Sequence, residues 1–272
     1  MSTDIEITDL GQFSKKFHKT YELFKNNLEN NEEVGASFAV YQGGACLIDL
    51  YGGYRDRDKK NKWDQDTIVN VHSTSKGIVA MIVAKLIDEG NLELNKNVSD
   101  YWPEFSELGK ENIKVKTLLS HQAGLYGWRQ SIDETDFYNW DYVVNLLAKQ
   151  EPYHKPEEKI CYHPKTIGFL VGELIKRVTN KSVGKNLEDL LNHPLKTKCF
   201  IGTPLIYHDN IAELISSESL RQAFSNPQNV DEYLITAFLN PANRTKTCLL
   251  YTSPSPRDQR GSGLAACGWK KK

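Results

Sequence analysis

The stretch VHSTSKGIVAMIVAKLIDEG, Val71 to Gly90, constrains this chain more than any other. From Lys76 the stretch KGIVAMIVAKLIDEG reads as a helix that is apolar nearly all round, and such a helix is usually central and buried. Gly90 falls where a left-handed C′ residue would close the helix. The preceding DTIVNVHS reads as a short extended run that leads into it.

Ser73 and Lys76 stand three apart at the start of this helix, so they share a face. Two readings are open on spacing alone. In one, Ser73 is an N-cap and Lys76 extends its amine to water. In the other, Ser73 is a nucleophile and Lys76 its proton acceptor. Desolvating an ammonium favours the neutral amine, which can take a serine proton, and the positive end of the helix favours the alkoxide. Ser182 and Lys185 repeat the S-x-x-K spacing in a polar stretch with no buried helix behind it.

The rest of the chain narrows the possibilities. Its 34 basic and 35 acidic residues give no sign of a nucleic-acid or polyanionic partner. No run reaches the roughly 18 apolar residues of a membrane span, and the start has no apolar core of a signal peptide. Five scattered cysteines, without C-x-x-C spacing, read as reduced thiols of a cytoplasmic protein. Seven histidines form no H-x-H or H-E-x-x-H, so neither metal nor cofactor is expected. G-x-S-x-G, G-x-G-x-x-G and the phosphate-binding loop are absent, which disfavours an α/β-hydrolase or nucleotide enzyme.

Phe13, Phe17, Tyr21, Phe24 and Leu28 mark an amphipathic N-terminal helix. Two β-prone runs flank Gly43-Gly44 and predict a hairpin. NVSDYWPEF and KTLLSHQAGLYGW read as turn-rich connections. Ile167, Leu170, Val171, Leu174, Ile175 and Val178 predict a helix ending at Asn180. Trp102, Trp128 and Trp140 are expected in the core, His121 as a structural residue, and His72 as a shaper of the pocket.

Taken together, DTIVNVHSTSKGIVAMIVAKLIDEGNLELNKNVSDYWPEF, VKTLLSHQAGL and CYHPKTIGFLVGELIKRVTN resemble the serine β-lactamase-related family, from about Gly35 to Lys246. That family includes class C β-lactamases, D-alanyl-D-alanine peptidases and carboxylesterases. The resemblance implies an α+β, β-lactamase/transpeptidase-like fold: an antiparallel sheet flanked by helices plus a mostly helical region. It implies an acyl-enzyme on Ser73, with Lys76 and Tyr162 as proton acceptors, acting on a small-molecule ester, lactam or short peptide.

The family's Y-x-N motif becomes Tyr162-His163-Pro164 here. Loss of the asparagine leaves a substrate amide contact open and weakens a β-lactamase assignment, and the cytosolic start argues against cell-wall work, which leaves esterase-like chemistry as the expectation. His163 is a candidate substrate contact in its place, although an exposed loop position is the plainer expectation. The alternative is a non-catalytic relative that keeps the fold for binding or assembly.

The family's third motif, K-T-G or H-x-G on a C-terminal strand, is missing. That strand supplies one oxyanion donor, and losing such a donor costs about 2.7–4 kcal/mol in the transition state. Lys246-Thr247-Cys248 begins like K-T-G, but CLLYTSPSPRD, from Cys248 to Asp258, resembles a translated sequencing adaptor. The expected organisation is therefore a hydrolase domain over 1–246, divided into an α/β part (1–90) and a mostly helical part (91–246). Residues 247–272 form a non-native tail. Without its last strands, the chain as written is expected to have an unpaired sheet edge, exposed apolar surface and poor folding or activity.

Overall fold

The computed structural model describes residues 6–11, 17–215, 233, 236–237 and 266–267. These divide into two units, one within Met1–Val69 and Asp209–Ile215, the other within Asn70–His208 and Ser216–Lys272.

The first unit is an antiparallel sheet in the order β1 (Ile7–Asp9), β3 (Ala45–Gly53), β2 (Gly35–Gln42), with helix α1 (His18–Glu29) against β3. Phe13 of the expected N-terminal helix lies outside the described residues; Tyr21, Phe24 and Leu28 fall on α1. The hairpin forms where Gly43-Gly44 predicts it. Gln42 pairs with Ala45, and the two glycines take φ of +57° and +81°, a conformation that closes a two-residue loop in register with the strand twist. Leu28, Ile48, Leu50, Ile68 and Ala212 are its buried apolar residues. Among the described residues β2 is paired on one side only, and its Phe38 and Tyr41 are exposed.

The second unit is helical and has one continuous apolar core. Its principal helices are α2 (Thr74–Asp88), α3 (Val115–Leu119), α4 (Trp140–Lys149), α5 (Thr166–Thr179) and α6 (Val183–Leu187). α5 is the centre of the unit, in contact with α2, α3, α4 and α6. It ends where expected, with Asn180 left-handed at φ +56°. Trp102 and Trp128 are buried, as expected, and Trp140 is half-buried with its indole N–H on Glu173.

Three expectations need correction. The expected boundary at residue 90 is displaced: α2 belongs to the helical unit, because Ile78, Ile82, Val83 and Leu86 join that unit's core. α2 is also not buried all round. Those four residues form one buried stripe, while Gly77, Ala80, Met81 and Ala84 are exposed. The stretch KTLLSHQAGLYGW, expected as turns, opens with the short helix α3. Of the tail, only Ala266–Cys267 is described, a two-residue strand opposite Cys199–Phe200; the rest, with Lys246-Thr247-Cys248, lies outside the described residues.

Candidate active site

The site is built at the N-terminus of α2. Gly90 takes φ +74° just past the helix end, so the closure inferred from sequence forms. At the other end, His72 stands at φ +45°, in the left-handed region that non-glycine residues seldom occupy. Its amide donates to Asn70 Oδ1 at 2.8 Å, and its carbonyl accepts from the Ser75 hydroxyl at 2.5 Å. These two bonds hold the sharp turn that delivers Ser73.

Ser73 occupies the cap position, yet its side chain makes no capping hydrogen bond. Its Oγ accepts instead from Lys76 Nζ at 3.0 Å and lies 2.9 Å from the Tyr162 hydroxyl. Lys76 Nζ also donates to the Pro164 carbonyl at 2.8 Å and stands 5.1 Å from the centre of the Tyr162 ring. The structure thus brings Ser73, Lys76 and Tyr162 together. The second S-x-x-K pair does something different. Ser182 caps α6 by accepting from the Lys185 amide at 3.1 Å, and Lys185 Nζ pairs with Glu188 at 2.9 Å.

Burial pushes the Tyr162 hydroxyl upward, but hydrogen bonds to Ser73 and Lys76 and the Lys76 charge outweigh it. Together they hold the group below its ordinary value of 10.0. His72 is held below 6.5 by burial first and the Lys76 charge second. A serine hydroxyl facing an amine and a phenol that the Lys76 charge makes more acidic can pass its proton to whichever of the two has given up its own, and so become a nucleophile.

His163 is not the exposed loop residue the sequence suggests. It is fully buried, and both ring nitrogens serve the backbone. Nδ1 lies 2.5 Å from the Cys161 carbonyl and must donate to it, while Nε2 accepts from the Leu125 amide at 3.1 Å. The ring is therefore neutral, consistent with burial that lowers it to about 4, and neither nitrogen is left for a substrate. Sequence reasoning also missed the Pro164 carbonyl on Lys76 and the Tyr233 hydroxyl, which donates to the Tyr162 carbonyl at 2.6 Å. Neither leaves a sequence signal: one is a main-chain group, the other lies 71 residues from its partner.

The beta-lactamase family model matches residues 22–233. The chain belongs to the beta-lactamase family. It is 32% identical over 187 residues to esterase/beta-lactamase LipL of Mycobacterium tuberculosis (strain ATCC 25618 / H37Rv), covering 69% of this chain and 43% of LipL. It is 26% identical over 221 residues to a teichoic acid D-alanine hydrolase of Staphylococcus aureus, covering 80% of this chain and 52% of that protein. The chain thus spans about half the length of these relatives. Among solved structures it resembles a family VIII carboxylesterase, with TM-score 0.82 and 32% identity over 97% of this chain and 68% of that one. A penicillin-binding protein homolog from Caulobacter crescentus matches with TM-score 0.82 and 31% identity over 96% of this chain and 67% of that one. The fold is the β-lactamase/transpeptidase-like one, and among the described residues no helix is long and apolar enough to cross a membrane.

Proposed function

We propose that this chain carries the acyl-transfer site of an esterase-like serine hydrolase, with Ser73 as nucleophile and Lys76 and Tyr162 as its proton acceptors. The observation that carries the reading is the state of the Ser73 hydroxyl: it leaves the helix cap unmade and meets both Lys76 Nζ and Tyr162 Oη within 3.0 Å. Ser73 Oγ attacks the carbonyl carbon of an ester as its proton moves to the Lys76–Tyr162 pair. The alkoxide leaving group then takes that proton, and water cleaves the acyl-serine to regenerate the hydroxyl. The Ser73 amide, which has no acceptor among the described residues, is a ready donor to the oxyanion at the positive end of α2.

Esters are favoured over lactams because Pro164 removes the side-chain amide of Y-x-N and leaves only a carbonyl, which Lys76 occupies. The substrate is a small-molecule ester, in keeping with the names of LipL and the family VIII carboxylesterase. The domain comprises residues 1–246, and 247–272 are a non-native, adaptor-like tail; the chain is then a fragment of its native protein. The free thiols of Cys46 and Cys161 favour a reducing compartment, the cytoplasm.

The test starts with the native gene. Its complete product is treated with a fluorophosphonate, the modified peptide is identified, and hydrolysis of p-nitrophenyl esters is compared with that of a chromogenic cephalosporin. Modification at Ser73 and ester turnover in excess of lactam turnover are expected, both lost in Ser73→Ala. A complete product that neither labels at Ser73 nor turns over esters is the non-catalytic relative instead.

A further inference from the structure

Tyr162 sits in a stretch, Lys159–His163, with no helix or strand to fix it, yet its hydroxyl must stay within hydrogen-bond distance of Ser73. Its main chain is held instead by His121, His163 and Tyr233. His121 grips both neighbours of Tyr162: its carbonyl accepts from the Cys161 amide at 3.0 Å, and its Nδ1 accepts from the His163 amide at 3.0 Å. The His121 ring lies 5.0 Å from the Tyr162 ring and 5.3 Å from that of His163.

His163 locks the same segment from its other side, through the Cys161 carbonyl and the Leu125 amide. The Leu125 carbonyl in turn accepts from Thr166 Oγ1 at 2.6 Å, at the first turn of α5. The Cys161 amide, the Cys161 carbonyl and the His163 amide thus each have a named partner, and the Tyr162 carbonyl takes the Tyr233 hydroxyl.

We propose that His121 and His163 form a two-histidine clamp that aims the Tyr162 hydroxyl at Ser73, so that His121 is a positioning residue of the site. The proposal rests on the role given to Tyr162 above. The clamp works only with neutral rings. His121 must accept at Nδ1 and carries its proton on Nε2; His163 must donate at Nδ1 and accept at Nε2. Burial, and then the Lys76 charge, keep His121 below its ordinary 6.5. His163 is held down by burial, with the neighbouring His121 and His154 adding to it against the Cys161 carbonyl. The backbone restricts the exchange of His121. It takes φ +62°, where asparagine and glycine are at ease and most residues are not. Asparagine also offers Oδ1 where histidine offers Nδ1.

The experiment places 3-fluorotyrosine at position 162 of the full chain and follows its ¹⁹F shift against pH. The protein is compared with His121→Asn, His121→Gly and, as the uncoupled reference, Lys76→Ala. The unsubstituted chain and His121→Asn should titrate below the Lys76→Ala protein, while His121→Gly should move up to join Lys76→Ala. Thermal midpoints are recorded alongside, since a merely structural histidine would lower the midpoint and leave the titration alone.

If His121→Gly titrates with the unsubstituted chain, the clamp is overturned and the role of Tyr162 stands. If the unsubstituted chain itself titrates with Lys76→Ala, the role of Tyr162 falls, and the clamp with it. Long-range ¹H–¹⁵N spectra of the unsubstituted chain give a second measurement that needs no variant to fold. An unprotonated Nδ1 on His121 and a protonated one on His163 are expected, and the opposite tautomer on either ring overturns the clamp. In the complete native protein, His121→Gly should slow Ser73 modification roughly a hundredfold, the scale of an ångström-sized misplacement, while His121→Asn stays near wild type.

Discussion

Lys76 Nζ lies 2.8 Å from the carbonyl oxygen of Pro164, 88 residues further along the chain. The bond ties the first turn of α2 to the residues that open α5, and it fixes the amine 3.0 Å from Ser73 Oγ. Because the acceptor is a main-chain carbonyl, Pro164 can lose its ring without losing the contact. Pro164→Ala should therefore label at Ser73 at close to the wild-type rate. Lys76→Ala removes the donor to Ser73 and the cation beside Tyr162 together. Its labelling rate should fall by roughly a hundredfold or more, as removal of a general base does. A stopped-flow comparison of fluorophosphonate modification in the complete native protein checks both.

Burial of His163 makes stability depend on pH. In the unfolded chain this ring protonates near its ordinary 6.5; in the folded protein it resists protonation to about 4. Below 6.5 the unfolded state therefore binds more protons than the folded one, so folding weakens as pH falls. The contribution of this ring is intact above 6.5 and is lost between 6.5 and about 4. At about 1.4 kcal/mol per pH unit it amounts to about 3 kcal/mol. Urea unfolding of the chain at pH 7.5 and pH 4.5 should show the loss, and His163→Asn should be less stable at pH 7.5 but lose less on acidification. Equal slopes in the two proteins would place the pH dependence elsewhere.

The sequence exposed what is local and periodic. The Gly43-Gly44 hairpin, the closure of α2 at Gly90 and the end of α5 at Asn180 are all written in residues that favour positive φ beside apolar runs. It also exposed the Ser73–Lys76 spacing, since one helical turn brings the two side chains together. What it hid was made largely by contacts 38 to 89 residues apart. Tyr162 entered through resemblance alone, and its 2.9 Å approach to Ser73 spans 89 residues. His163 read as an exposed loop residue because a histidine in a polar stretch usually is one. It is buried because its ring takes the place of the secondary structure that this segment lacks. The face of α2 bearing Gly77 and Met81 read as core because composition records how apolar a helix is, and not how many of its faces are covered.

Glu173 is a nearly buried carboxylate on α5, and it is fully used. One oxygen accepts from the Trp140 indole at 2.7 Å and the other from Arg177 Nε at 2.8 Å, while Arg177 also reaches Glu104 at 2.8 Å. Glu173→Ala leaves the indole N–H and the half-buried guanidinium without that partner. It should cost about 1–3 kcal/mol. Glu173→Gln keeps one acceptor and should cost less. Both are read from urea unfolding, and an alanine variant no weaker than the glutamine one would mean that the carboxylate contributes only its bulk.

The two S-x-x-K pairs should respond in opposite ways to the same substitution. Ser182 is a working cap: its Oγ satisfies the Lys185 amide, so Ser182→Ala should destabilise the fold by about 1 kcal/mol and leave Ser73 labelling unchanged. Ser73 sits at a helix start but caps nothing, so Ser73→Ala should cost far less stability and abolish labelling. The contrast separates the two meanings of one motif within a single protein. Should Ser73→Ala instead lose about as much stability as Ser182→Ala, with the complete native protein unlabelled throughout, Ser73 would be a helix start and nothing more.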